Sequence, residues 1–114
     1  NNTVAAANRA FDQIGVRGWI MCHLSHSYHS GACLYFTFAF PLDDVDPLVG
    51  YDVVKSAIQQ SFVDHGGTLS HHHGIGLSKA PFMPEEHGAA MEIYRALKDV
   101  LDPAGIMNPG KMGL

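Results

Sequence analysis

The chain has 114 residues, a net charge of −4 with histidine neutral, 46% apolar residues and 16% charged ones. That length suits one compact domain, 1–114, and the charged share is below the roughly 25% usual for a free-standing soluble domain, so part of the surface is expected to be covered. The seven Lys and Arg are scattered without a basic stripe, which argues against nucleic-acid binding, and the longest apolar run, 33–40, is far shorter than the ~20 residues of a bilayer span.

In chain order, residues 2–14 read as a helix, with Val4, Ala7, Phe11 and Ile14 on one apolar face. Gly15 and Gly18 flank a break. Residues 19–24 fit a short strand, 25–31 a polar loop or bulge, and 32–40 an aromatic-rich strand. In that second strand Leu34, Phe36, Phe38 and Phe40 share one face and Cys33, Tyr35 and Thr37 the other, and both faces are expected to be largely covered. The two strands are expected to pair as an antiparallel hairpin. Residues 41–46 connect to a second helix, with Asp46 as N-cap, Pro47 at the first helical position and Gly66-Gly67 as its stop. Its expected face is Val49, Val53, Ala57, Ile58 and Phe62.

Residues 68–70 read as a short extended piece leading into a Gly-rich stretch, 71–76. A loop over 78–84 precedes a helix over 85–101, with Ala89, Ile93, Ala96, Leu97 and Val100 apolar and Glu85, Glu86 and His87 as a solvated start. Asp102-Pro103 stops it, and 106–114 is an irregular tail. The fold class is α+β, an antiparallel sheet with helices on one face, like half of a split βαβ, ferredoxin-like arrangement. Cys22 and Cys33 form no CxxC pair and read as buried free thiols.

Histidine is the compositional outlier. Eight are present, six of them in two clusters: His23, His26 and His29, then His71, His72 and His73. Internal histidine runs can be solvated loop residues. Here the run is followed by Gly74 and Gly76, which leave backbone open to a ligand, and imidazole titrates near neutral pH. In an extended backbone His71 and His73 would face together and His72 away. Function is therefore favoured for this cluster.

Residues 67–76, with Leu101-Asp102-Pro103-Ala104-Gly105-Ile106 downstream, resemble the C-terminal region of FAD-linked oxidases of the vanillyl-alcohol-oxidase type. The His71-His72-His73-Gly74 run, together with the segment from Ser27-Tyr28-His29-Ser30-Gly31 to Phe40, resembles the alkyldihydroxyacetonephosphate (alkylglycerone-phosphate) synthases within that group. The resemblance covers the chain from about Trp19 onward. It implies a cap, or substrate, domain whose FAD is held mainly by an N-terminal domain absent from this chain. That N-terminal domain would be its partner, and a small lipid-precursor molecule its substrate. The implied reaction replaces the acyl group of acyl-dihydroxyacetone phosphate by a fatty alcohol, without net redox, and the fragment alone is expected to be inactive. Tyr28 is implied as an acid/base or hydrogen-bonding hydroxyl, and His71, His72 and His73 as active-site imidazoles, with His72 and His73 as proton-transfer groups or phosphate and oxyanion partners. Gly74, Asn108 and Lys111 are the implied cofactor-side residues. One site requires the loops carrying Tyr28 and the triplet to converge.

Three other readings remain. The ending Asn108-Pro109-Gly110-Lys111 is similar to that of FAD-dependent D-2-hydroxy-acid dehydrogenases of the same superfamily. The metal-dependent dehydrogenases carry a Gly-Asp-Gly loop and a Glu-His-Gly. Here no Gly-Asp-Gly is present, His72 stands where that Glu would be, and Leu34 or Tyr35 stands where a second histidine would be, so no metal is expected. A non-flavin metal-binding module would use the two histidine clusters, whose spacing matches no zinc pattern. A non-catalytic interaction domain has only the aromatic strand in its favour. A homodimer is compatible with the low charge. The ending Lys111-Met112-Gly113-Leu114 is not a Ser-Lys-Leu signal, so a cytoplasmic enzyme is expected.

Overall fold

A computed structural model describes residues 1–42 and 46–114. The connection expected over 41–46 thus falls partly outside the described residues. The elements are helix α1 (Asn2–Gln13), strands β1 (Trp19–Tyr28) and β2 (Gly31–Ala39), and helices α2 (Pro47–Asp64), α3 (Met83–His87) and α4 (Ala90–Leu101). Short 3₁₀ turns cover Ala80–Phe82 and Lys111–Gly113. The chain divides into two compact units, Asn1–Ser61 and Phe62–Leu114.

In the first unit, α1 buries Ala7 and Phe11 of the expected face together with Ala6 and Ala10, while Val4 and Ile14 are half-buried. Its end is a Schellman motif. The Val16 amide donates to the Phe11 carbonyl at 3.0 Å and the Gly15 amide to that of Asp12 at 3.1 Å, with Gly15 at φ +71°. Phe11 then meets Phe40, with ring centroids 5.5 Å apart. Phe38 on the same strand face meets Tyr51 of α2 at 6.4 Å, with the Lys55 ammonium 5.8 Å from its ring. Both helices therefore cover one face of the hairpin. The opposite face is open, contrary to the expectation that both would be covered: Trp19, Met21 and Tyr35 are 51%, 55% and 41% exposed.

Helix α2 starts as its sequence dictates, the Asp46 carboxylate accepting from the Val49 amide at 3.4 Å. It ends in the same Schellman geometry as α1, with Gly67 donating to Phe62 at 2.8 Å and Gly66 to Val63 at 3.0 Å. Of the expected face Ile58 is buried, Val53, Ala57 and Phe62 are half-buried and Val49 is exposed, while Val54, Gln59 and Ser61 are buried beside Ile58. Apolar residues surround this helix, so tertiary partners choose the face. One of those partners is a buried Thr3–Ser61 hydroxyl contact of 3.3 Å, which ties α2 to α1.

In the second unit the expected single helix over 85–101 is split. Gly88, at φ +52° and ψ −130°, separates α3 from α4. Met83 and Met91 are the buried side chains of the two pieces, while Ile93, Leu97 and Val100 are exposed. The expected extended piece at 68–70 forms no strand, and the sheet among the described residues has two strands. No helix of the described residues is long and apolar enough to cross a membrane.

After α4, Asp102 folds the tail back. Its carboxylate accepts from Lys98 at 2.5 Å and from the amides of Ile106 and Met107 at 3.1 and 2.9 Å. The Lys98 hydrogen bond first, then the two amides, hold its pKa below the ordinary 3.8 against the opposing effect of burial.

Two predictions follow from this packing. A Cβ on Gly18 would lie 2.6 Å from three ring carbons of Phe11, whose ring is buried. Gly18→Ala is expected to cost about 1–3 kcal/mol, read as a lower urea midpoint at unchanged slope. An unchanged midpoint would contradict this packing. The Asp102 pKa is depressed in the fold, so its contribution is complete above the unfolded value and lost as pH falls through the native one. The Ile106 and Met107 amide shifts are expected to titrate together with a midpoint below 3.8, and not to titrate in Asp102→Asn. A midpoint above 3.8 would contradict the assignment.

Candidate functional site

Two clusters of polar side chains emerge, one in each unit. The first lies on the open face of the hairpin. Up to Leu24 the ladder is regular, with Met21 opposite Thr37 and His23 opposite Tyr35. Ser25 is then an extra residue: Leu24 faces Leu34, and His26 faces the next residue, Cys33. In an unbulged ladder Ser25 would oppose Cys33, and His26 would turn to the face of Phe36 and Phe38. The bulge instead keeps His26 and Tyr28 on the same open face as His23, Cys33 and Tyr35.

Ring contacts bear out this alternation. His23 and Tyr35 lie 5.2 Å apart, and the His26 and Tyr28 rings are parallel within 3° at 6.2 Å. The Ser25 hydroxyl is 2.8 Å from His26 Nδ1, and a His26 ring nitrogen lies within 4.8 Å of Cys33 Sγ. Strand β1 thus runs four residues past its expected end, and the polar segment at 25–28 belongs to it. Tyr28 is its last residue, 53% exposed, just before the His29-Ser30 turn. Neither cysteine forms a disulfide among the described residues. They are not the buried free thiols expected, because Cys22 is exposed and Cys33, on the open face of the hairpin, is half-buried.

The second cluster is the histidine triplet. Its backbone is bent rather than extended, so the expected alternation of His71 and His73 against His72 is not what forms. All three rings touch in series. His71 Nδ1 lies 2.8 Å from His72 Nδ1, and the His72 and His73 rings stack at 4.5 Å. The bend arises because the Ser70 hydroxyl donates to the Gly74 carbonyl at 2.8 Å, while Gly74 and Gly76 take φ of +75° and +62°. One Nδ1 of the His71–His72 pair must donate and the other accept, so the contact accommodates a single proton and links the two tautomers.

This loop is held at its entry, neck and exit. At the entry, Glu86 of α3 accepts from the Thr68 hydroxyl at 2.5 Å and the Leu69 amide at 3.1 Å. Glu86 is therefore a structural anchor and not merely part of a solvated helix start. At the neck, the Lys79 ammonium donates to both the Ser70 hydroxyl and the Gly74 carbonyl, each at 3.0 Å. At the exit, the Met112 amide donates to the Gly76 carbonyl at 3.1 Å.

Gly74, Asn108 and Lys111 thus belong to one unit, whose tail returns to the triplet loop through Met112. Asn108 at φ +49° and Gly110 at φ +74° shape that return, with the Lys111 amide donating to Asn108 at 3.2 Å. Gly74 has nothing within 4 Å of where a Cβ would project. Tyr28 lies in the other unit. Sequence reading missed Ser25, Lys79 and Glu86. Glu86 and Lys79 act across 5 to 18 residues, with no helix or strand period to signal the contacts.

Residues 1–112 match the family described as FAD linked oxidases, C-terminal domain, and the chain belongs to that family. It is 37% identical over 103 residues to a Dictyostelium discoideum protein named alkyldihydroxyacetonephosphate synthase, covering 90% of this chain and 17% of that protein. A Trypanosoma brucei brucei protein of the same name is 37% identical over 112 residues, 94% of this chain and 18% of that protein. A shorter match, 49% over 47 residues, covers 40% of this chain and 10% of a Danio rerio protein named probable D-lactate dehydrogenase, mitochondrial. The chain therefore spans under a fifth of the length of these relatives.

The bulge makes a sharp prediction. Because no residue stands opposite Ser25 in the ladder, deleting it should leave His26 opposite Cys33 and Tyr28 opposite Gly31. Cross-strand nuclear Overhauser effects between His26 and Cys33 are expected to survive the deletion. Their loss would show that the register is set differently.

Proposed function

We propose that this chain is the substrate-side domain of a flavoenzyme that exchanges the acyl group of acyl-dihydroxyacetone phosphate for a fatty alcohol. The observation that carries the reading is the triplet loop: three contiguous exposed imidazoles on a neck fixed by Ser70 and Lys79. The similarity to two proteins named alkyldihydroxyacetonephosphate synthase over 90% or more of the chain supports it. In this reading FAD is held mainly by an N-terminal domain, which is the chain's partner, and the enzyme is cytoplasmic. When bound, FAD supplies an electron-accepting ring system.

Two features on this chain would suit the approach of such a group. Backbone at Gly74 is open, and the exposed cation of Lys111 follows Gly110 on the tail that returns to Gly76. The reaction releases a carboxylate and consumes an alcohol that must lose its proton. A histidine near neutral pKa can accept that proton, and its protonated form can pair with phosphate or a developing oxyanion. His72 and His73 take these tasks, with His71 setting the tautomer of His72. Tyr28 supplies a hydroxyl for proton transfer or hydrogen bonding, oriented by the parallel His26 ring.

A second reading, a D-2-hydroxy-acid dehydrogenase, is favoured by the Danio rerio match and by the Asn108-Pro109-Gly110-Lys111 ending. The two are separated by product. With acyl-dihydroxyacetone phosphate and labelled hexadecanol, the full-length protein is expected to form labelled ether product and one equivalent of free fatty acid. Tyr28→Phe and His73→Ala are each expected to lower that rate by about a hundredfold or more. Absence of ether product, with turnover of a D-2-hydroxy acid, would replace the first reading by the second.

A further inference from the structure

The geometry points to Lys79 as a positioning residue that sets the arrangement of the histidine triplet, an inference that rests on the triplet being the reactive cluster. Lys79 is eight residues beyond His71 and half-buried, and its ammonium closes a triangle. It donates to Ser70 Oγ and to the Gly74 carbonyl, each at 3.0 Å, and Ser70 Oγ donates to that same carbonyl at 2.8 Å. Ser70 and Gly74 are the residues on either side of His71, His72 and His73, with the triplet between them. The triangle is therefore the neck of the loop.

The ties of Glu86 to Thr68 and Leu69 and of Met112 to Gly76 hold the two ends of the loop, outside the segment 70–74 that the triangle closes. Its residues belong to no helix or strand, and Gly74 and Gly76 permit many backbone conformations. A charge-assisted donor at the neck is roughly twice as strong as a neutral one, and Lys79 supplies two. Without it, the triangle loses two of its three hydrogen bonds, in a segment whose unrestrained backbone samples many states. The ring contacts His71–His72 at 4.9 Å and His72–His73 at 4.5 Å depend on that fixation. A misplacement of about 1 Å in a reacting group can lower a rate about a hundredfold, so the neck controls turnover without touching substrate.

The test uses the full-length protein with its FAD, labelled with ¹⁵N-histidine, in the variants Lys79→Met, Lys79→Arg, Ser70→Ala and Lys79→Met/Ser70→Ala. Thermal melting and flavin content establish folding. Lys79→Met is expected to lower kcat for ether formation about tenfold to a hundredfold with KM nearly unchanged, and to shift the ring resonances of all three triplet histidines. Lys79→Arg, which keeps a cationic donor, is expected to restore most of the rate. The double variant is expected to be no slower than Lys79→Met, because both changes open one network. If Lys79→Met does not fold, Ser70→Ala is judged by the same rate and resonances. Unchanged kcat and unchanged triplet resonances in a folded variant would overturn the inference. If His73→Ala itself leaves ether formation intact, the functional reading fails instead, and the clamp is decided by the resonances alone.

Discussion

A backbone segment outside any helix or sheet must find hydrogen bonds elsewhere or give up a defined shape. The loop bearing His71, His72 and His73 is such a segment, and its order is borrowed from residues before and after it. Glu86 holds the entry at Thr68 and Leu69, Lys79 and Ser70 close the neck, and Met112 holds the exit at Gly76. The anchors have their own supports. Glu86 sits on α3, which Gly88 separates from α4. The tail that delivers Met112 is folded back by Asp102 at the end of α4. The second unit is thus organised to present one loop.

The first unit meets the same problem differently. Its reactive residue candidate, Tyr28, ends a strand rather than riding a loop, and one extra residue at Ser25 determines which side it faces. Helices α1 and α2 cover the Phe38–Phe40 side of the hairpin, leaving the Tyr28 side open. That open side carries His23, His26, Cys33 and Tyr35. Exposed apolar residues such as Trp19 and Met21 lie beside them.

Much of this was legible in the sequence where the cause is local. Asp46-Pro47, Gly15 and Gly66-Gly67 mark helix ends by rules that act within a few residues, and α1, α2 and the hairpin follow from them. The split at Gly88 was less legible, since an isolated glycine inside a helical pattern breaks the helix only when the chain there adopts positive φ. The buried face of α2 depends on partners distant in sequence, so periodicity could not select Val54 over Val53. The triplet was legible as composition, but its bent shape was not, because the bend depends on Lys79 and Ser70 meeting at one carbonyl. The family was legible from residues 67–76 together with Leu101-Asp102-Pro103-Ala104-Gly105-Ile106.

The most direct test of the account is the visible absorption of the full-length protein, recorded anaerobically. Addition of acyl-dihydroxyacetone phosphate should bleach the flavin band, and addition of a fatty alcohol should restore it with no external oxidant, because the exchange has no net redox. Lasting bleaching by a D-2-hydroxy acid, with no response to the acyl ketone phosphate, would contradict the account and make this chain part of a dehydrogenase.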